Sequence, residues 1–433
     1  MLDIQFIREN SELVREKSKQ KGYDIDVQQL LGFDVKRREL QQEVEALRRE
    51  RNEIAESMKG QRPSDDQVAK GREVKEKLVD LEHRFAAIDK EFFDLLKQVP
   101  NMPLDDVPVG ATEEENVVAK TVGEIPNFDF EPKTHAQIAE AKGWLDKERA
   151  AKIAGSRFAY LKGDLVHLQF AIVQWVMQTL TNQTIIREII DNAGLEVSDK
   201  PFVPVIPPAM VRTAPYEATA RLDREEVTYK IEQDDLWLNA SAEHSLVPMY
   251  MDEVLLSADL PIRYIGYSTS FRREAGTYGK DMEGMFRMHQ FDKLEMECFT
   301  DAASGYNEHK FLVAIQEYFT RQLGISYRVL QKCTADIGFA NAAGVDIEMW
   351  LPGQGKYRET HSADYMTDYQ TRRLRTRVRA SEDGGLTLAQ TNDATALVLS
   401  RTPVAIIENY QTAEGDVTVP EALRPYMGGR ERI

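Results

Sequence analysis

The chain has 433 residues, 42% apolar and 29% charged, enough for two or three domains around at least one sizeable core and too rich in apolar residues for wholesale disorder. Its net charge of −17 speaks against a uniformly basic nucleic-acid binder, and Cys298 and Cys333 are too few for a disulfide framework. No stretch approaches the ~20 consecutive apolar residues of a membrane helix, and Met1-Leu2-Asp3-Ile4 runs into charged residues without a signal-peptide layout, so a reducing cytosol and no membrane partner are expected.

Residues 1–33 read as a short helical lead, with Phe6, Ile7, Leu13 and Val14 at helical spacing. From Lys36 the pattern tightens. Leu40, Val44, Leu47, Arg51, Ile54 and Met58 step by four and three. After a break at Gly60-Gln61-Arg62-Pro63-Ser64, so do Val74, Leu78, Leu81, Phe85, Ile88, Phe92, Leu95 and Val99. Such steps make an a/d seam, which predicts an antiparallel coiled-coil hairpin over about 35–98, within a helical region 1–99. Arms of roughly 25 residues reach about 40 Å, too far to be filler for a compact core. Residues 34–99 hold 15 Lys/Arg against 16 Asp/Glu, so nearly all of the excess negative charge lies elsewhere. Arg48, Arg49, Arg51, Lys59 and Arg62 concentrate near the tip, where they suit a phosphate backbone inside an otherwise repelling molecule. A dimerisation rod with solvated charges is the plainer alternative.

Pro100-Asn101-Met102-Pro103 stops the second helix, and residues 100–133, rich in Pro, Asp and Glu, read as an extended linker. Over 134–433, helices alternate with β-rich runs, among them 202–205, 263–267, 286–298, 344–350 and 387–391. The runs at 263–272 and 286–298 are separated by a glycine-bearing loop rather than a helix. A mainly antiparallel sheet flanked by helices follows, an α+β class.

Phe271-Arg272-Arg273-Glu274-Ala275-Gly276 leads through Gly279 and Gly284 to Arg287-Met288-His289-Gln290-Phe291-Asp292-Lys293-Leu294-Glu295. Period-two alternation puts Arg272 with Glu274, and Phe291 with Lys293 and Glu295, on one surface. A cation, carboxylates and an aromatic plate together suit a nucleotide plus an ammonium-bearing substrate. This stretch closely resembles motif 2 of the class II aminoacyl-tRNA synthetases in its seryl form. Arg401 and Ile406-Ile407-Glu408-Asn409-Tyr410-Gln411, on an apolar helical stripe, resemble motif 3. The closing Val419-Pro420-Glu421-Ala422-Leu423-Arg424-Pro425-Tyr426-Met427 is similar to the tail of bacterial seryl-tRNA synthetases. Motif 1 matches less closely, around 170–205 with Pro207 or Pro208. With the opening Phe6-Ile7-Arg8-Glu9-Asn10 and the hairpin, the resemblance covers essentially the whole chain.

The resemblance implies ATP-dependent formation of seryl-adenylate, transfer of serine to tRNA(Ser) bound through the arm, Mg²⁺ with the ATP, a homodimer, and no DNA partner. It makes Arg272 the clamp on the α-phosphate and Arg401 the holder of the γ-phosphate. Phe291 stacks on adenine and Glu274 reads its amino group. Arg273, Glu359, Thr360, His361 and Ser362 border ATP, with Glu359 and Ser362 helping to carry Mg²⁺. Ser241, Ala242, Glu243, Arg272, Glu295 and Thr395 hold serine. His361 is expected as a loop residue beside ATP rather than a metal ligand, and the two cysteines as buried bystanders.

The chain departs from the family in three places. Ser241 opens the serine loop where Thr is usual, Ala363-Asp364-Tyr365 replaces Cys-Ser-Asn, and Asp393-Ala394-Thr395 replaces Asn-Gly-Ser. Tyr365 and Asp393 are expected to bond to each other and support Glu295 and Thr395. Two alternatives stay open: a paralogue that activates another amino acid or delivers it to a carrier protein, and a non-catalytic tRNA-binding dimer. The full arm argues against the carrier-protein route, and intact Arg272, Glu295 and Arg401 argue against a non-catalytic dimer.

Overall fold

Asp26 accepts a hydrogen bond from the Gln29 amide and starts a helix, Val27–Ser57, well before the seam expected from Lys36. Ser64 and Gln67 form a reciprocal capping box that opens the second long helix, Asp65–Leu96. The structure, a computed structural model, describes residues 1–59, 64–222, 228–274, 284–379 and 384–433. The break at 60–63, with Arg62, therefore lies outside the described residues.

The two helices have 31 and 32 residues, about 45 Å each. Leu40 and Val44 pack on Leu78 and Leu81, with Leu47, Phe85 and Ile88 half-buried around them. Towards the tip the seam loosens: Arg51 is exposed, and Ile54 and Met58 are only half-buried. At the base, Arg37 pairs with Asp89 and lies 5.0 Å from the Phe92 ring centre. Helices Ile4–Glu9 and Ser11–Gln20 complete the unit Met1–Met102, in which buried Asp34 takes two bonds from Arg8 at 2.7 and 2.8 Å.

The second unit, Pro103–Ile433, is built on eight strands: β1 Val117–Val122, β2 Val203–Val205, β3 Ile262–Phe271, β4 Gln290–Thr300, β5 Tyr327–Gln331, β6 Ala343–Leu351, β7 Lys356–Thr367 and β8 Gln390–Val398. They order as β1-β5-β6-β7-β8-β4-β3-β2, antiparallel throughout except for parallel β2 on β3. Residues 100–133 are expected as an extended linker, but from Pro103 on they belong to this unit, and β1 hydrogen-bonds along β5 as an edge strand. The expected strand 286–298 begins only at Gln290. The run 387–391 splits at Ala389, with Leu386–Leu388 joining a small separate sheet. Helices Asp164–Leu180, Gln183–Ala193 and Gly305–Gln322 bury Leu168, Trp175, Ile186, Phe311 and Phe319 in the core that also takes one face of the sheet. The other face carries the site.

Candidate active site

Alternation divides each central strand between the two faces. On β4, Leu294, Met296 and Cys298 enter the apolar core, leaving Lys293, Glu295 and Glu297 on the far face. On β8, Ala394 and Ala396 enter the core and Asp393 and Thr395 oppose them. The ladders place Glu295 opposite Thr395, Glu297 opposite Asp393, and Asp393 opposite Asp364 of β7. Glu297, Asp393 and Asp364 thus form a row across three adjacent strands.

This face walls a cavity of about 500 Å³ lined by Ser241, Glu243, Arg272, Glu274, Phe291, Glu295, Glu359, Thr360, Ser362, Thr395 and Arg401, all singled out in the sequence. The ladder slips between Ile347 and Glu348 of β6, a bulge beside which Glu359 and Thr360 both reach the cavity. Three expected residues are not among its lining. Arg273, one place on from Arg272, lies 5.8 Å from the Tyr229 ring centre, and Ala242, within the serine loop, is fully buried. His361 alternates away from Ser362 and bonds Thr360 at 2.9 Å; burial, with Arg401 nearby, pushes its pKa down to about 3. Ala275 and Gly276 lie outside the described residues.

In one half of the cavity, Arg272 donates to the Ala240 carbonyl at 3.1 Å, and its guanidinium lies 5.4 Å from the Phe291 ring centre. Glu274 follows the strand end at φ 47°; its carbonyl accepts from Arg157 at 2.7 Å and its carboxylate pairs with Arg287 at 3.3 Å. Arg401 opens the helix Thr402–Asn409 and bonds the Glu359 carboxylate at 2.8 Å. Phe286 lies under both Arg358 and Arg401, at 4.3 and 5.1 Å. Burial would raise Glu359, but Arg401, Lys332 and Arg272 outweigh it and hold the carboxyl below its ordinary range. Glu359 therefore faces the cavity as an anion.

A buried relay supports Phe286. Glu408 accepts from the His135 amide at 3.0 Å, from its Nδ1 at 2.8 Å, and from the Gly353 amide at 3.0 Å. His135 Nε2 in turn accepts the Met285 amide at 3.4 Å.

The other half is strongly acidic. Arg221 holds Glu243 at 2.9 and 3.1 Å and stands 3.6 Å from Asp393 and 3.8 Å from Asp364. Lys293 pairs closely with Glu295. Lys332, buried, reaches Asp364 at 2.9 Å, Ser362 at 3.1 Å and Asp346 at 3.5 Å. Its path crosses Gly344, where a Cβ would stand 2.3 Å from Lys332 Cε. Burial raises Glu295, only partly offset by Lys293. Burial, then Glu243, Asp364 and Glu295, push Asp393 well up against the opposing pull of Arg221.

Tyr365 and Asp393 do not bond. Tyr365 faces the helical side, stacking on Tyr306 at 5.8 Å and bonding Gln390, whereas Asp393 faces the cavity. The register partner of Tyr365, Asn392, also turns to the helical side, donating to the Gly305 carbonyl at 3.0 Å. The period of two decides this, since adjacent positions on paired strands cannot share a face.

Comparison with known proteins accounts for both units. A family model for the seryl-tRNA synthetase N-terminal domain matches residues 1–103, and one for the tRNA synthetase class II core domain (G, H, P, S and T) matches 228–410. A serine–tRNA ligase of Geobacter sp. (strain M21) is 38% identical over 437 residues, 100% of both chains. The chain belongs to the seryl-tRNA synthetase family. A serine–tRNA ligase of Deinococcus radiodurans is likewise 38% identical, over 100% of this chain and 98% of its own. Seryl-tRNA synthetase from Pyrococcus horikoshii, solved complexed with ATP, superposes with a TM-score of 0.86 at 36% identity, covering 100% of this chain and 99% of its own.

Seryl-tRNA synthetase membership fits the two-helix arm as well as the core. On that arm Arg48 is exposed and pairs with Glu82 at 2.7 Å, Lys59 with Glu56 at 3.2 Å, and Arg51 bonds Asn52 at 3.2 Å; Arg49 is exposed. Sequence reasoning missed Arg221, Lys332, Glu297 and the His135–Glu408 pair. Arg221 and Lys332 are isolated charges far from the family motifs, and Glu297 and Glu408, beside motif 2 and within motif 3, show no partner by spacing alone.

Proposed function

We propose that this cavity activates L-serine with ATP and passes it to tRNA(Ser), the tRNA being held by the coiled-coil arm. One observation carries the reading: segments around 241, 272, 291–295, 359–362 and 395–401, distant in sequence, converge on a single cavity. A serine carboxylate oxygen attacks the α-phosphorus of ATP, the bond to pyrophosphate breaks, and seryl-adenylate forms. The terminal ribose hydroxyl of tRNA then attacks the seryl carbonyl, and AMP leaves. No general base is needed in the first step, since an α-carboxyl of pKa about 3.5 is already ionised at neutral pH.

Arg272 neutralises charge growing on the α-phosphate, Arg401 holds the γ-phosphate, and Phe291 carries the adenine whose amino group Glu274 reads. Ser241, Glu243, Glu295 and Thr395 orient serine. Mg²⁺ fits beside Glu359 and Ser362, an ionised carboxylate and a hydroxyl on one strand. Among the described residues no cluster of three or more His, Cys, Asp or Glu is arranged to hold a metal, so the ATP phosphates would supply most of its oxygens. When bound, Mg²⁺ neutralises the phosphate charge. Exposed apolar residues Phe170, Val203 and Ile206 along the motif 1 segment favour a homodimer through the core, and no described helix is long and apolar enough to cross a membrane. We place the enzyme in the cytosol.

The test is amino-acid-dependent ATP–pyrophosphate exchange across the twenty amino acids. Serine should lead, with threonine, cysteine and alanine far behind; alanine falls furthest, because a site that bonds a hydroxyl rejects the analogue lacking it by ~10⁴–10⁵. Glu295→Ala should erode that preference. Faster exchange with another amino acid refutes the assignment.

A further inference from the structure

The amino-acid half of the cavity holds more carboxyl groups than serine can use. Glu243, Glu295, Asp364 and Asp393 line it. Arg221 and Lys293 face them from within the lining, and Lys332 reaches Asp364 from behind. Beneath them lie the carboxyls of Glu297, completely buried, and Asp346. One carboxylate meets the α-ammonium that every amino acid brings. The excess remains, and it centres on Asp393.

Asp393 is 7% exposed, and its Oδ1 is buried with no hydrogen-bond partner among the described residues. Arg221, at 3.6 Å, is beyond good hydrogen-bonding distance and is committed to Glu243. Its neighbours on either side in the row, Glu297 and Asp364, are carboxyls, and neither bonds this oxygen. It lies one pleat, about 7 Å, along β8 from Thr395, the residue opposite Glu295. A buried acceptor left unbonded is destabilising, and more so when charged. What it lacks is a donor with positive charge, arriving from the cavity.

We propose that this cavity also activates α-amino acids whose short side chain ends in an ammonium group, with Asp393 meeting that ammonium. L-2,3-Diaminopropionate has serine's number of heavy atoms, with an amino group in place of the hydroxyl. Its α-carboxylate attacks the α-phosphorus and pyrophosphate leaves, so the step balances as it does for serine. The side-chain ammonium brings three donors and a positive charge where serine brings one neutral donor. Glu295, held by Lys293, meets one donor of the side-chain ammonium as it meets serine's hydroxyl, and Asp393 takes a donor that serine does not supply.

The inference rests on the serine-activation reading, and one experiment separates the two. ATP–pyrophosphate exchange by the full chain is measured with L-serine, L-2,3-diaminopropionate and L-alanine, for the natural protein and for Asp393→Asn. Exchange with the diamino acid well above alanine is expected, and Asp393→Asn should lower the diaminopropionate-to-serine ratio of kcat/KM by ~10–100-fold, the worth of one bond to a charged group. The ratio is internal to each protein, so a general loss of folding does not move it. Exchange with serine but none with the diamino acid overturns the inference and leaves the serine reading standing. An unmoved ratio in Asp393→Asn removes Asp393 from the role and overturns it too. Exchange with neither amino acid overturns the serine reading, and this inference with it.

Discussion

Gly284→Ala should loosen the cavity from a point outside its lining. Gly284 has φ 65°, and a Cβ there would stand 2.1 Å from His135 Nε2 and 2.6 Å from Cδ2, with the third-nearest atom, at 3.1 Å, also in that ring. The left-handed backbone costs a non-glycine residue ~1–2 kcal/mol. The imidazole must also move. It then gives up the Met285 amide and its own bond to Glu408, leaving buried polar groups unpaired at ~1–3 kcal/mol. The sum, ~2–5 kcal/mol, is a large part of the ~5–15 kcal/mol that holds a domain folded. Displacing Met285 also shifts Phe286 from beneath Arg358 and Arg401, so KM for ATP should rise. Urea unfolding and ATP-dependent exchange measure both effects. His135→Ala should lose the bonds without the strain. In the double variant the new methyl has room, so its destabilisation should fall short of the sum of the singles. Strict additivity, or an unchanged unfolding midpoint in Gly284→Ala, refutes the argument.

Arg272→Ala should slow pyrophosphate exchange by ~10²–10³, whereas Arg49→Ala should spare exchange and weaken tRNA binding in a salt-dependent way; filter binding at two ionic strengths distinguishes them, and equal losses in both assays would refute the division. In the helical unit, burial raises Asp34, but Arg8 and then Arg38 and Arg37 outweigh it, so its folded pKa lies below the ordinary 3.8. Its contribution is therefore complete above about pH 4 and lost as pH falls through the folded value, and Asp34→Asn should flatten that acid limb in circular-dichroism melts of the full chain.

Much of this was legible in the sequence because it depended on local period. The heptads identified Leu40, Val44, Leu78 and Leu81 as the packed seam, and alternation put Phe291, Lys293 and Glu295 on one face. The failures also share a cause. Pairing Tyr365 with Asp393 ignored which face each occupies, a matter of register between β7 and β8 that no single strand reveals. Lys332 and Arg221 stand near no family motif, and only the sheet order brings them to Asp364 and Asp393. Strand β1 was hidden because its side chains are nearly all exposed, so a sequence reader sees polar spacer where the backbone is fully engaged.

That strand decides where the catalytic unit can be cut. β1 covers the free edge of β5, and its Lys120 reaches Glu317 at 2.7 Å. A fragment beginning at residue 134, where the sequence alone draws the domain, would leave Tyr327–Gln331 as a bare row of amides and carbonyls, with buried Val329 and Leu330 beside it. Such an edge recruits other chains, so that fragment should precipitate, whereas one beginning at Pro103 brings its own cover.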